Sequence, residues 1–177
     1  YDQALDKNTA NYQPLTPLHF LSRAALVHPE RVAIVHGERR ITYREYYSNA
    51  RCLASALSER GVKPGETVAI MAANIPAFLD ASFGVPMMGA VLNTLNTRLD
   101  ASTLAYILDH SECRVLLSDT AYAPVIKEAL ALCEREPWVI DIDDALSEGG
   151  ERLGHIEYQA LLAEGDPDFD WQHPLDE

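Results

Sequence analysis

The chain is short of the residues that build metal centres, disulfide frameworks and nucleic-acid surfaces. Its 177 residues include only three cysteines, Cys52, Cys113 and Cys133. They form no C-x-x-C pair, so no zinc-type or thioredoxin-type motif is present, and reduced cysteines in a cytoplasmic protein are the expectation. The six histidines (His19, His28, His36, His110, His155 and His173) show no H-E-x-x-H and no spacing typical of zinc. Lys and Arg number 14 against 27 Asp and Glu, a net charge of −13 that argues against nucleic-acid binding, which needs a basic face. No stretch reaches the roughly 18 apolar residues of a membrane span. The polar opening YDQALDKNTANYQ does not read as a secretory signal, and its first residue, Tyr rather than Met, suggests that residues have been lost or trimmed there. Absence of G-x-S-x-G leaves a serine hydrolase unsupported, and absence of G-x-G-x-x-G leaves a dinucleotide site unsupported.

What is present is ordinary globular material, 47% apolar, in a length that suits one domain with a tail. Charge is unevenly placed. Residues 141–177 carry twelve acids and one Arg, whereas residues 1–140 carry fifteen acids and thirteen bases. The acidic end reads as a solvated surface segment.

The periodicity predicts a helix over Leu18–Val27, ended by Pro29, then a hairpin of Val32–His36 and Arg40–Thr42 turning at Gly37-Glu38. Thr42-Tyr43-Arg44-Glu45 has the form of a capping box, and the apolar stripe Tyr43, Tyr46, Tyr47, Ala50, Leu53, Ala54, Leu57 continues it as a helix to Gly61. Thr67–Ala73 reads as a buried strand. Pro76 opens a helix expected to run to about Gly84 and to be stopped or kinked by Pro86. Strands are expected at Gly89–Leu92, Arg114–Ser118 and Trp138–Ile142. Helices are expected from Asp100 or Ser102 to Leu108, over Ala121–Arg135, and over Ile156–Ala163. Asn93–Thr97 reads as a loop, as does the stretch 143–155. From Gly165 onward no period survives. A β-hairpin followed by α–β alternation implies an α/β fold with a largely parallel sheet and helices on both faces.

Four stretches could carry chemistry. Gly84 and Gly89 are spaced as in a phosphate loop, but no Lys-Ser/Thr follows and Pro86 removes a donor, so a packing turn is the reading. Asp141, Asp143 and Asp144 could offer oxygen ligands to a hard cation at a strand end, although a solvated acidic loop explains them as well. His110 follows a helix and suits its C-terminal carbonyls. Asn74-Ile75-Pro76 and Asn93–Arg98 follow strands, where α/β sheets present polar groups to ligands, although Asn also bonds its own backbone in turns.

Taken in order, Thr16–Leu21, Ile41–Glu45, Leu57–Val62, Pro64–Ala69, Asn74–Pro76, Gly89–Thr94, Arg98-Leu99 and Ala105–Leu108 closely resemble the N-terminal region of AMP-forming acyl-CoA synthetases of the adenylate-forming superfamily. T-Y-x-E before a helix and G-A-V-x-N-x-x-N-x-R-L are the specific parts. The closest flavour is that of fatty-acyl and short-to-medium-chain ligases, including methylmercaptopropionate–CoA ligases. The resemblance implies activation of a carboxylic acid with ATP and Mg, transfer to CoA, and a homodimeric parent.

In that family a T-S-G-T-T-G-x-P-K phosphate loop follows soon after a segment like 174–177, and no such motif occurs here. No catalytic, cofactor-binding or metal residue is therefore carried over. The expected layout is an extension at 1–15, the α/β portion of the N-terminal adenylation domain at 16–142, and an acidic connector at 143–177. The chain alone is expected to be inactive and to expose apolar faces that the remainder of the polypeptide covers. The competing reading is a non-catalytic scaffold or interaction module derived from that fold.

Overall fold

A capping box opens the long helix on which most of the molecule is built. In the computed structural model, which describes residues 6, 8, 10–171, 173 and 174, helix α2 spans Tyr43–Glu59. The Thr42 hydroxyl accepts from the Glu45 N–H at 3.3 Å, and the Glu45 carboxylate accepts from the Thr42 N–H at 2.7 Å. Two orphan donors are thereby satisfied, worth about 1 kcal/mol. Before it come α1 (Leu18–Val27) and the antiparallel hairpin β1 (Val32–His36) and β2 (Arg39–Thr42).

After it the chain alternates through β3 (Thr67–Met71), α3 (Pro76–Met87), β4 (Val91–Thr94), α4 (Ala101–His110) and β5 (Val115–Asp119). A single 3₁₀ turn over Thr120–Tyr122 leads into α5 (Ala123–Leu132), then β6 (Trp138–Ile142), β7 (Ile156–Glu157) and α6 (Tyr158–Glu164). The five strands β3 to β7 form one parallel sheet in the order β4-β3-β5-β6-β7. The expected α/β class with a parallel sheet behind a hairpin is what the chain adopts.

Side-chain alternation along the strands divides the interior in two. Val68, Ile70, Val115, Leu117, Ile140 and Ile142 face a core shared with α1, α2, α3 and α6. Ala69, Met71, Leu116 and Val139 face a second core closed by α4 and α5. All five residues of β5 are buried, as a central parallel strand requires.

Three helices end in the same Schellman geometry, with paired 6→1 and 5→2 bonds. In α2 these are Val62 N–H to Leu57 O and Gly61 N–H to Ser58 O; in α3, Ala90 N–H to Val85 O and Gly89 N–H to Pro86 O. In α4 they are Cys113 N–H to Leu108 O and Glu112 N–H to Asp109 O. The pivot residue is left-handed each time: Gly61 at φ 84°, Gly89 at φ 77°, and Glu112 at φ 49°.

Several expected boundaries move. α3 does not end near Gly84. It continues to Met87 with Pro86 inside its last turn, where a proline removes only one N–H. Gly84 and Gly89 are thus a helix–helix contact and a helix end. Asn93 and Thr94 belong to β4 rather than to a loop. The expected helix 121–135 is shortened to α5 behind its 3₁₀ turn. Ile156 and Glu157 pair with β6 before α6 begins, so the expected helix 156–163 starts two residues late.

The acidic end is not simply a solvated segment. Tyr158, Leu161, Leu162 and Trp171 all lie in the first core. Apolar side chains stay exposed on α1 (Phe20, Leu26, Val27) and on the hairpin (Val32, Val35).

Candidate functional site

The sheet order places a topological switch between β3 and β5. The helix after β3 packs into the first core and the helix after β5 into the second, so the chain leaves the carboxyl ends of these neighbours toward opposite faces. In open α/β sheets ligands sit in the crevice such a divergence creates.

Asp119 occupies the crevice. It is 2% exposed, and its Oδ1 accepts from the Ala121 N–H at 3.0 Å, starting the 3₁₀ turn. Its Oδ2 faces the Ala73 N–H at 3.5 Å, across the switch. The hydroxyls of its neighbours Ser118 and Thr120 are buried without a hydrogen-bond partner among the described residues. Sequence reasoning did not single out this Ser-Asp-Thr run. Its signal is a polar triplet directly after the apolar run Val115–Leu117.

The candidates from sequence are dispersed around this edge. Asn74 is exposed just beyond β3. Asn93 donates from Nδ2 to the Ser111 hydroxyl at 3.3 Å, and Asn96 Oδ1 accepts from the Arg98 N–H at 3.0 Å. These are the local and packing roles that Asn plays in turns.

The three carboxylates of the D-x-D-D run reach three different partners. Asp141 is buried and accepts from the Leu153 and Gly154 N–H groups at 3.0 and 2.9 Å. Asp143 pairs with Arg152 at 2.8 Å, and Asp144 lies 2.7 Å from His36 Nε2. The solvated-loop reading therefore fits Asp143 and not Asp141, because the loop folds back and spends two backbone donors on that carboxylate.

Among the described residues no group of three or more His, Cys, Asp or Glu is placed to hold a metal ion. The Gly84–Gly89 segment, spent on helix packing and a helix end, does not offer the free N–H cradle a polyphosphate needs. Among the described residues these two features supply neither a metal cage nor a polyphosphate cradle.

Four of the histidines, His19, His36, His110 and His173, pair or stack. The His110 ring stacks on Tyr106 one turn earlier, with centroids 5.4 Å apart. His19 Nε2 lies 3.0 Å from both His173 Nδ1 and Gln13 Nε2.

The larger cavities lie away from the switch. One of about 540 Å³ sits at the first residues of β5 and β6, lined by Arg60, Arg114, Trp138 and His155. Arg60 is already committed, paired with Glu164 and lying 5.3 Å over the Trp138 ring. Another, of about 750 Å³, lies beside α1 and is lined by Gln13, His19, Arg23 and Tyr47. The second also holds Ser22, but its hydroxyl donates to the His19 carbonyl at 3.1 Å and not to the imidazole. No helix among the described residues is long and apolar enough to cross a membrane.

Comparison with known proteins gives this arrangement its context. An acetate/butyrate–CoA ligase of Arabidopsis thaliana, described as peroxisomal, is 46% identical over 98% of this chain and 32% of its own length. An acetate–CoA ligase of Humulus lupulus is 43% identical over 98% of the chain and 33% of its length. The chain therefore spans about a third of the length of these curated relatives. Among solved structures, an anthranilate–CoA ligase with anthranoyl-AMP bound superposes with a TM-score of 0.82 over 95% of this chain and 32% of its own. At 20% identity that likeness speaks for the fold alone. The model of the AMP-binding enzyme family matches residues 21–170, and the chain belongs to that family.

Proposed function

We propose that this chain is the N-terminal portion of an ATP-dependent acid–thiol ligase that forms acyl-CoA through an acyl-adenylate. The 46% identity to a CoA ligase across nearly the whole chain carries the reading. In the complete protein a carboxylate attacks the α-phosphate of ATP, releasing pyrophosphate, and the CoA thiol then displaces AMP. The names of the relatives point to short acids, acetate and butyrate, as the substrate class.

In this reading residues 16–142 are scaffold for the adenylation domain, 1–15 precede it, and 143–177 lead toward the phosphate-binding loop. ATP, Mg and CoA are held by residues outside this chain, and the chain alone is inactive. The exposed apolar side chains of α1 and the hairpin are covered by the remainder of the polypeptide. A homodimer, a cytoplasmic location and a role in fatty acid metabolism complete the proposal. Because the Arabidopsis relative is described as peroxisomal, cell fractionation is the measurement that decides the compartment.

The acceptor is tested by incubating the complete polypeptide with ATP, butyrate and either CoA or a phosphopantetheinyl carrier protein. Butyryl-CoA with stoichiometric AMP is the expected product. Acyl transfer to the carrier alone would leave adenylation standing and overturn CoA ligation. ATP binding by the 177-residue chain itself would contradict the placement of the nucleotide site elsewhere.

A further inference from the structure

Helix α3 is largely apolar: its one charged residue is Asp80, and its one other polar side chain, Ser82, bonds the Phe78 carbonyl a turn earlier. Asp80 is 2% exposed and sits where α2, α3 and α6 meet. Its Oδ2 receives a hydrogen bond of 3.2 Å from the Tyr158 hydroxyl, the Asn49 side chain lies nearby, and Oδ1 has no partner among the described residues. None of the ion pairs among the described residues includes it. An ionised carboxylate removed from water without a paired cation is costly, and such a group takes its neutral form instead.

We infer that Asp80 is held as a neutral acid inside the helical layer, and that its ionisation in alkaline solution loosens the docking of α6 and the tail behind it. The neutral acid can donate through Oδ2 to the Tyr158 oxygen. The ionised form must take that hydroxyl as a donor and still leaves Oδ1 buried and bare. Tyr158 opens α6, is fully enclosed, and lies one turn from the buried Leu161 and Leu162. A charge beside it therefore acts on the element that leads into the C-terminal tail.

The groups that face Asp80 are few. α2 contributes Tyr46, Asn49 and Cys52, β2 contributes Arg39, and α6 contributes Tyr158 with Glu157 beside it. Arg39 alone is cationic, and it is exposed. Burial, the largest influence, raises the Asp80 carboxyl from 3.8 to about 7 against the smaller pulls of Tyr158, Arg39 and Asn49. Burial and the Asp80 charge together hold the Tyr158 hydroxyl well above its ordinary value, so the tyrosine does not supply the proton.

The sign follows from proton counting. Between the unfolded and folded values the folded chain keeps a proton that the unfolded chain has released. The stability tied to neutral Asp80 is complete below about 4, falls as pH rises, and is lost above about 7. A shift of that size corresponds to about a thousandfold in the folding constant.

The test measures urea unfolding of the 177-residue chain and its Asp80→Asn variant from pH 5 to 8.5, with Trp171 emission followed in native buffer in a Trp138→Phe background. In the wild type the folding constant is expected to fall by about a hundredfold across this range. Its Trp171 emission shifts red before global unfolding, and Asp80→Asn, whose amide keeps the bond to Tyr158, removes both trends. Equal pH slopes in the two proteins, or a flat wild-type profile, would overturn the inference. If the variant does not fold, the ¹³C shift of the Asp80 carboxyl in the wild type decides. A midpoint near neutrality supports the neutral acid, and full ionisation at pH 5 refutes it.

Discussion

The indole N–H of Trp171 donates to the hydroxyl of Tyr47 at 2.8 Å, joining the C-terminal tail to α2 across 124 positions of sequence. Trp171 is 6% exposed, and Arg51 strengthens the same seam, donating from Nε to the Phe169 carbonyl at 2.9 Å while its guanidinium lies over the Tyr47 ring. Removing the indole leaves a cavity that the surrounding helices can only partly close. Trp171→Ala should cost about 3–5 kcal/mol. Tyr47→Phe, which removes one hydrogen bond and no volume, should cost about 1 kcal/mol. A double-mutant cycle of Tyr47→Phe with Trp171→Phe should give a coupling of about 0.5–1.5 kcal/mol by urea denaturation. A coupling near zero would mean that the contact is packing alone.

Glu112 occupies the left-handed position that Gly61 and Gly89 fill in the other two Schellman ends, at φ 49°. An L-residue there is strained by about 1–2 kcal/mol. Its ion pair with Arg135 at 3.1 Å is exposed on both sides and offsets little of that. Glu112→Gly is expected to stabilise the chain by about 0.5–1 kcal/mol net of the added backbone entropy. For a domain of this size that is a rise of about 1–4 °C in Tm by calorimetry. A lower Tm would show that the Arg135 pair outweighs the backbone strain.

Gly84 reverses the usual rule for helices. Replacing a helical Gly with Ala ordinarily stabilises by up to about 1 kcal/mol. Here a Cβ would lie 2.6 Å from the Ala50 carbonyl oxygen and 3.1 Å from Leu53 Cβ, so α2 and α3 would have to separate. Gly84→Ala should therefore destabilise by about 1–3 kcal/mol, measured as a fall in the urea midpoint. An unchanged or higher midpoint would show that the two helices separate at no cost.

The parts of the fold that the sequence made legible are local. The Thr42–Glu45 box, the hairpin around Gly37 and the proline at the start of α3 each depend on residues within four positions of one another. What was missed depends on distant partners. Asp141 looks solvated in an acid-rich run, because the Leu153 and Gly154 donors meet it only once the loop has folded back. β7 is two residues long and is defined by pairing with β6, so no periodicity announces it. Trp171 lies with Phe169 in an aperiodic tail, and its burial follows from packing against α1 and α2, which no local pattern encodes. At the switch point, strand alternation indicates where a crevice forms. That Asp119 fills it follows from the approach of β3 to β5, which no local pattern encodes.

In the proposed function the complete polypeptide forms an acyl-adenylate. Carboxylate-dependent exchange of labelled pyrophosphate into ATP, with the complete polypeptide and without CoA, tests it most directly. Exchange that requires both Mg and a short acid such as acetate or butyrate is the predicted result. A folded, complete polypeptide that shows no exchange with any carboxylic acid would contradict the account.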